Sequence, residues 1–168
     1  VRCFDSEKIT HVNSKISPSS DLETIKTEIV LSDLDIVQKK LEKGKKKLLE
    51  DKEIKILEEK LNQLDKNQEV KINNEEENKF LSSIGLLSIK PKIIVCNVDE
   101  ENLSKGNQYT EEVQNKYPNE KIIKICADIE DQLSGLDKNE KEAFMQDIGL
   151  NKTGLNQLIK EGYDLLKL

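Results

Sequence analysis

KPKIIVCNVDE, residues 90–100, is the stretch whose reading decides the fold. A proline opens it, the unbroken apolar run Ile93-Ile94-Val95-Cys96 follows, and Asn97 then meets the carboxylates Asp99 and Glu100. Strands that are continuously apolar, rather than alternating, belong to parallel sheets covered on both faces. A second such run, KIIKICA at 121–127, lies beyond a helix expected from about Gln108 to Tyr117. This strand–helix–strand order predicts an α/β core, in which ligands bind beyond the carboxyl ends of the strands. Asn97 and the pair Cys126-Ala127 both stand at such ends. Lys90 and Pro91 read as structural, because a strand start tolerates a missing N–H.

Outward from this stretch the chain divides into three blocks. Residues 1–20 hold a short strand, VRCF, a second extended piece, ITHV, and a Ser-Pro loop, after which Asp21 is expected to cap a helix. In residues 21–89 apolar side chains fall at Leu22, Ile25, Ile29, Val30, Leu34, Val37, Leu41 and Leu48, a helical spacing. A second stripe, Ile54, Leu57, Leu61 and Leu64, follows the charged LEKGKKKLLEDKE. Two such helices with a Gly- and Lys-rich break predict an antiparallel helical hairpin. Lys39, Lys40, Lys43, Lys45, Lys46 and Lys47 then fall at or near its tip, either as a solvated face or as a grip on a phosphate backbone. Asn74 and Glu77 match a capping box for a helix running to about Leu87. Residues 90–168 return to the α/β pattern, with two or three helices after the second strand.

Composition agrees with a small core carrying a polar appendage: of 168 residues 35% are hydrophobic, 36% charged and 4% aromatic, with no Trp. A net charge of −6 excludes a uniformly basic nucleic-acid binder but not a local patch. Cys3, Cys96 and Cys126 form no CxxC pair and accompany a single histidine, so they read as small buried hydrophobes rather than zinc ligands or a disulfide framework. No apolar run approaches the roughly 20 residues of a membrane span and no signal peptide is visible, which predicts a cytoplasmic protein with no membrane partner. The chain opens at Val1, directly in a strand, and is expected to be a piece of something longer. The seam from Leu22 to Leu64 would close on itself or on a second copy, so oligomeric state stays open.

An Asn amide at a strand end can bond a base and a neighbouring loop together, and a carboxylate three residues later can accept from ring or exocyclic N–H groups. Asn-x-x-Asp is the arrangement of guanine-specific GTPases; Asn97-Val98-Asp99-Glu100 has Glu where that Asp belongs and Val where Lys is usual. Displacing the carboxylate relaxes or inverts the preference for guanine. With VRCFDSEKITHV, DLETIKTEIVLSDLD, ICADIEDQL and FMQDIGLNKTGLNQLIKEGYDLLKL in the same order, the whole chain resembles the YchF or Obg-like ATPase family of P-loop NTPases. The resemblance implies the C-terminal part of a Ras-like G domain interrupted by a helical, coiled-coil hairpin, binding ATP or GTP with Mg²⁺ and associating with ribosomes or RNA. It also implies that Asn97, Val98 and Glu100 form the base-recognition loop, and that Cys126 and Ala127 form the second base-contacting loop.

The sequence departs from the family's pattern in one respect that bears on chemistry. A phosphate-binding loop needs a Gly-rich turn ending in Gly-Lys-Ser/Thr, and none is present; EKGKKK carries one glycine inside a helical pattern. Metal ligands would therefore lie outside this chain, as would the small RNA-binding-type domain that the family carries after its final helix. Family members hydrolyse ATP or GTP, but this chain alone is expected to be inactive, because phosphoryl transfer depends on cradling the phosphates and Mg²⁺. His11, in ITHV, is the family's candidate for orienting the attacking water, against a purely structural loop histidine. An alternative function is a non-catalytic RNA- or protein-interaction module acting through the Lys-rich hairpin.

Overall fold

The computed structural model describes residues 1–6, 15–44 and 49–168. They fall into two compact units: Val1–Leu22 with Pro91–Leu168, and Glu23–Lys90, which interrupts the first in sequence.

The first unit is built on β1 (Ile93–Asn97) and β2 (Lys121–Ile125), paired in parallel with Ile93 opposite Lys121 and Asn97 opposite Ile125. Along the other edge of β1 runs the start of the chain, bridged in parallel at Arg2 and Asn97. Asn97 N–H donates to the Val1 carbonyl at 2.8 Å and Cys3 N–H to the Asn97 carbonyl at 2.7 Å, so β1 is hydrogen-bonded on both sides. Between the strands α4 (Gln108–Lys116) crosses over, capped by Asn107, whose Oδ1 accepts from the N–H groups of Tyr109 and Thr110. Asn107 Nδ2 also donates to the Cys3 carbonyl at 2.7 Å, tying the cap to the edge strand.

One face of β1, Ile94 and Cys96, is buried with Cys3, Val113 and Val98, the residue that follows the strand. The Cys3 thiol lies against that of Cys96, and their hydrogen bond, with burial, pushes the Cys3 pKa up. The opposite face, Ile93 and Val95, is only half-buried, short of the double cover that the unbroken apolar run predicts. A further helix, α7 (Gly154–Leu166), packs on β2. Beyond β2, α5 (Ala127–Ser134) and α6 (Lys138–Asp147) close a second cluster around Cys126, Ile129 and Leu133. Glu130 accepts from Gly154 N–H at 2.6 Å, fixing the first turn of α7 with a carboxylate at its positive end.

The second unit takes most of α1 (Pro18–Lys43), then α2 (Asp51–Leu64) and α3 (Glu75–Ser83). Asp21 does not cap α1: its N–H already donates to the Ser17 carbonyl, and Pro18 occupies the first turn, where a missing N–H and a fixed φ are favourable. Val30, Val37 and Leu41 of α1, Leu57 and Leu64 of α2, and Leu81 of α3 share one core. The α1 stripe is not continuous, since Leu22 packs in the first unit's core and Ile25 is exposed.

Asn74 caps α3 by accepting from Glu77 N–H, but the Glu77 carboxylate does not return the bond in a capping box. It meets the ammonium of Lys60, 2.5 Å away, in a pair whose side chains are 4% and 0% exposed, and it accepts from Asn73. Lys60 also bonds Glu59, which lowers the Glu59 pKa, with Asn73 assisting. The helix ends at Ser83, short of Leu87, because Gly85 turns the chain with φ +86°, a conformation that favours glycine. Asp33, fully buried on α1, accepts from the N–H groups of Leu87 and Ser88 and so satisfies that turn. Among the described residues no helix is long and apolar enough to cross a membrane.

Candidate functional site

β1 ends at Asn97, and the chain leaves it through Val98, whose N–H donates to the Ile125 carbonyl at 2.8 Å. Asp99 then accepts from Asn102 N–H and starts a 3₁₀ turn over Glu100–Asn102, which fixes the direction in which Glu100 leaves the loop. On the neighbouring strand the backbone passes from β2 through Cys126 into α5 at Ala127. The parallel register therefore sets the two strand-end loops side by side.

Asn97 joins them: its Oδ1 accepts the Ala127 N–H at 3.0 Å, across 30 residues of sequence. That bond satisfies one of the helix-start donors that Cys126, which makes no side-chain cap, leaves open. It also fixes the amide's orientation, because only the oxygen can face an N–H. No acceptor is found for Asn97 Nδ2 among the described residues, so that donor is available to a ligand.

The loops enclose a cavity of about 160 Å³ whose walls include Asn97, Val98, Glu100, Cys126 and Ala127. All five base-site residues expected from the sequence are thus brought together. Phe4, Asp128 and Gln132 line the same cavity and were not anticipated. A signal for Phe4 exists, since it follows the edge strand parallel to β1 and must end at the same side of the sheet. Asp128, in the first turn of α5, was equally readable from its place after Ala127. Cys126 is buried against Ile129 and Leu133, so its thiol serves packing.

Close to Phe4, the Tyr109 hydroxyl donates to the Asp5 carboxylate at 2.9 Å. The carboxylate raises the phenol's pKa above its ordinary 10.0, because ionisation would set two anions together. The Arg2 guanidinium stacks 4.8 Å from the Phe4 ring centre and donates through Nε to the Phe4 carbonyl, holding the aromatic wall from behind.

The lysine group belongs to the helical unit. Lys39 pairs with Asp35 at 2.6 Å on an exposed face, and Lys40 and Lys43 occupy the last turn of α1, where cations favour the helix dipole. Lys45, Lys46, Lys47 and the histidine His11 lie outside the described residues. Among the described residues no group of three or more His, Cys, Asp or Glu side chains is placed to hold a metal ion.

No family model matches the chain. Over its whole length it is 34% identical to the ribosome-binding ATPase YchF of Escherichia coli O157:H7, of which it covers 48%. It is 32% identical to the protein of the same name from Bacillus subtilis strain 168 and 36% identical to that of Mycoplasma pneumoniae, covering 49% and 50% of them. The chain thus spans about half the length of the curated relatives it matches. Its fold superimposes on the solved YchF GTPase of Schizosaccharomyces pombe with a TM-score of 0.80 and 25% identity, over 99% of this chain and 48% of that one. The fold class is therefore that of a Ras-like G domain, α/β with a helical insertion. Over the half of those proteins that it spans, in sequence and in fold, the chain belongs to the YchF family.

Proposed function

We propose that this chain is the base-recognition portion and helical arm of a ribosome-associated, nucleotide-dependent ATPase or GTPase that reads adenine through Asn97, Val98 and Glu100. In this reading residues 1–20 and 90–168 are parts of its G domain and residues 21–89 the insertion. The observation that carries the proposal is the Asn97 to Ala127 bond, which clamps two strand-end loops around one cavity. Asn97 Nδ2 is left to donate to a ring nitrogen, and the wall at Phe4 offers apolar surface to a base. Glu100 accepts the exocyclic amino group of adenine, whereas guanine's two adjacent donors suit an Asp at that position.

Mg²⁺ is proposed to enter as the ion that accompanies the nucleotide's phosphates. His11 is the proposed water-orienting group of the hydrolytic reaction. The names of the relatives support a ribosomal partner and, with it, a cytoplasmic setting; Lys39, Lys40, Lys43, Lys45, Lys46 and Lys47 are proposed to face its RNA. Such an interface loses affinity steeply with salt.

Thermal unfolding of the chain alone, with Mg·ATP and with Mg·GTP tests the base assignment. A ligand at a hundredfold excess over its Kd stabilises the folded state by about 2.7 kcal/mol. The expected result is a midpoint raised by ATP more than by GTP. A midpoint blind to both nucleotides at millimolar concentration overturns the base-recognition reading.

A further inference from the structure

We propose that the α/β unit carries a second recognition surface, a docking cleft for a basic, leucine-bearing segment of a partner protein. A cavity of about 800 Å³ lies beside the base cavity, with which it shares Asp99 and Glu100. Its size is that of ligand sites, and its floor is apolar: Leu103, Ile129, Ile148 and Leu150. Its rim is anionic, carrying Glu100, Glu101 and Asp147, all exposed.

None of these three carboxylates is in an ion pair among the described residues. Asp99, by contrast, is committed to capping the 3₁₀ turn. Unpaired like charges around an apolar floor repel one another and any phosphate backbone, and they attract guanidinium or ammonium groups. The complementary occupant presents cations at the rim and aliphatic side chains to the floor. A basic peptide does both, and RNA does neither. Glu101 and Asp147 do not line the base cavity, so the inference stands whether or not a base binds there.

The test is fluorescence anisotropy of a labelled Leu-Arg-Leu-Arg-Leu-Arg peptide titrated with the chain in the absence of nucleotide. Saturable binding is expected, weakened about tenfold by the Glu101→Lys, Asp147→Lys double variant, because rim charges set encounter and orientation. Both positions are exposed, so the variant is expected to keep the parent's circular dichroism and melting midpoint. A Ser-Arg peptide of the same length is expected to lose affinity to a similar extent, since it offers nothing to the floor. Charge reversal without effect, equal binding of the Ser-Arg peptide, or a labelled oligouridylate bound in place of the peptide each overturns the proposal.

Discussion

Asn97 has two chemical ends with different duties, and substitution can separate them. Asn97→Ala removes the acceptor for Ala127 N–H and is expected to destabilise the unit by about 1 kcal/mol, besides abolishing any nucleotide-dependent shift. Asn97→Asp keeps an acceptor oxygen, loses the Nδ2 donor and adds a negative charge to a cavity already lined by Asp99, Glu100 and Asp128. Its melting midpoint without nucleotide should stay near the parent's, while the rise caused by Mg·ATP disappears. If the Asp variant keeps its response to ATP, Nδ2 does not read the base. Tyr109 offers a second reading at this scale. Asp5 raises its pKa, so the bond between them holds below pH 10.0 and is lost as pH rises through the elevated value. Ultraviolet titration of the chain's 3 tyrosines should show one ionising late. Tyr109→Phe should delete that step and Asp5→Asn should bring it back toward 10.0; a late step that survives both belongs to another tyrosine.

At the scale of elements, α7 meets β2 so closely at its first turn that only glycine fits. A Cβ on Gly154 would lie 2.7 Å from Ile125 Cγ2 and 2.9 Å from Glu130 Oε1. Gly154→Ala is therefore expected to cost about 1–3 kcal/mol, more than the helix propensity it gains, and denaturant unfolding checks it. A neutral or stabilising result would mean that Ile125 and Glu130 yield without loss.

What the sequence shows at this scale is what local pattern encodes. The apolar run before Asn97, the strand–helix–strand order and the cap at Asn74 are short-range features, and all are present. The start of α1 was misplaced by four residues because Asp21 was read as the cap, although Pro18 at a first helical position is itself a start signal. Glu77 could not be assigned from sequence: the ammonium of Lys60, on another helix, competes for its carboxylate and wins it from the capping box. Phe4 was missed for a related reason, since pairing across more than 90 residues decides which cavity it lines.

For the molecule as a whole, the informative property is that each unit buries its own cluster. The helical unit depends on Lys60 with Glu77, a pair removed from water at the junction of α2 and α3. Lys60→Met leaves the Glu77 carboxylate buried with only Asn73 as partner among the described residues, and losing one member of a buried pair costs about 3–5 kcal/mol. Adding Glu77→Leu removes the stranded charge, so the double variant should recover most of the loss. The base cavity draws its walls from the other unit. Lys60→Met should therefore lower the transition reported by helical circular dichroism and leave the increment produced by Mg·ATP unchanged. A nucleotide response that shrinks in step with the Lys60 destabilisation, and returns with Glu77→Leu, would show instead that the units unfold as one and that the inserted helices stabilise the base-reading fold.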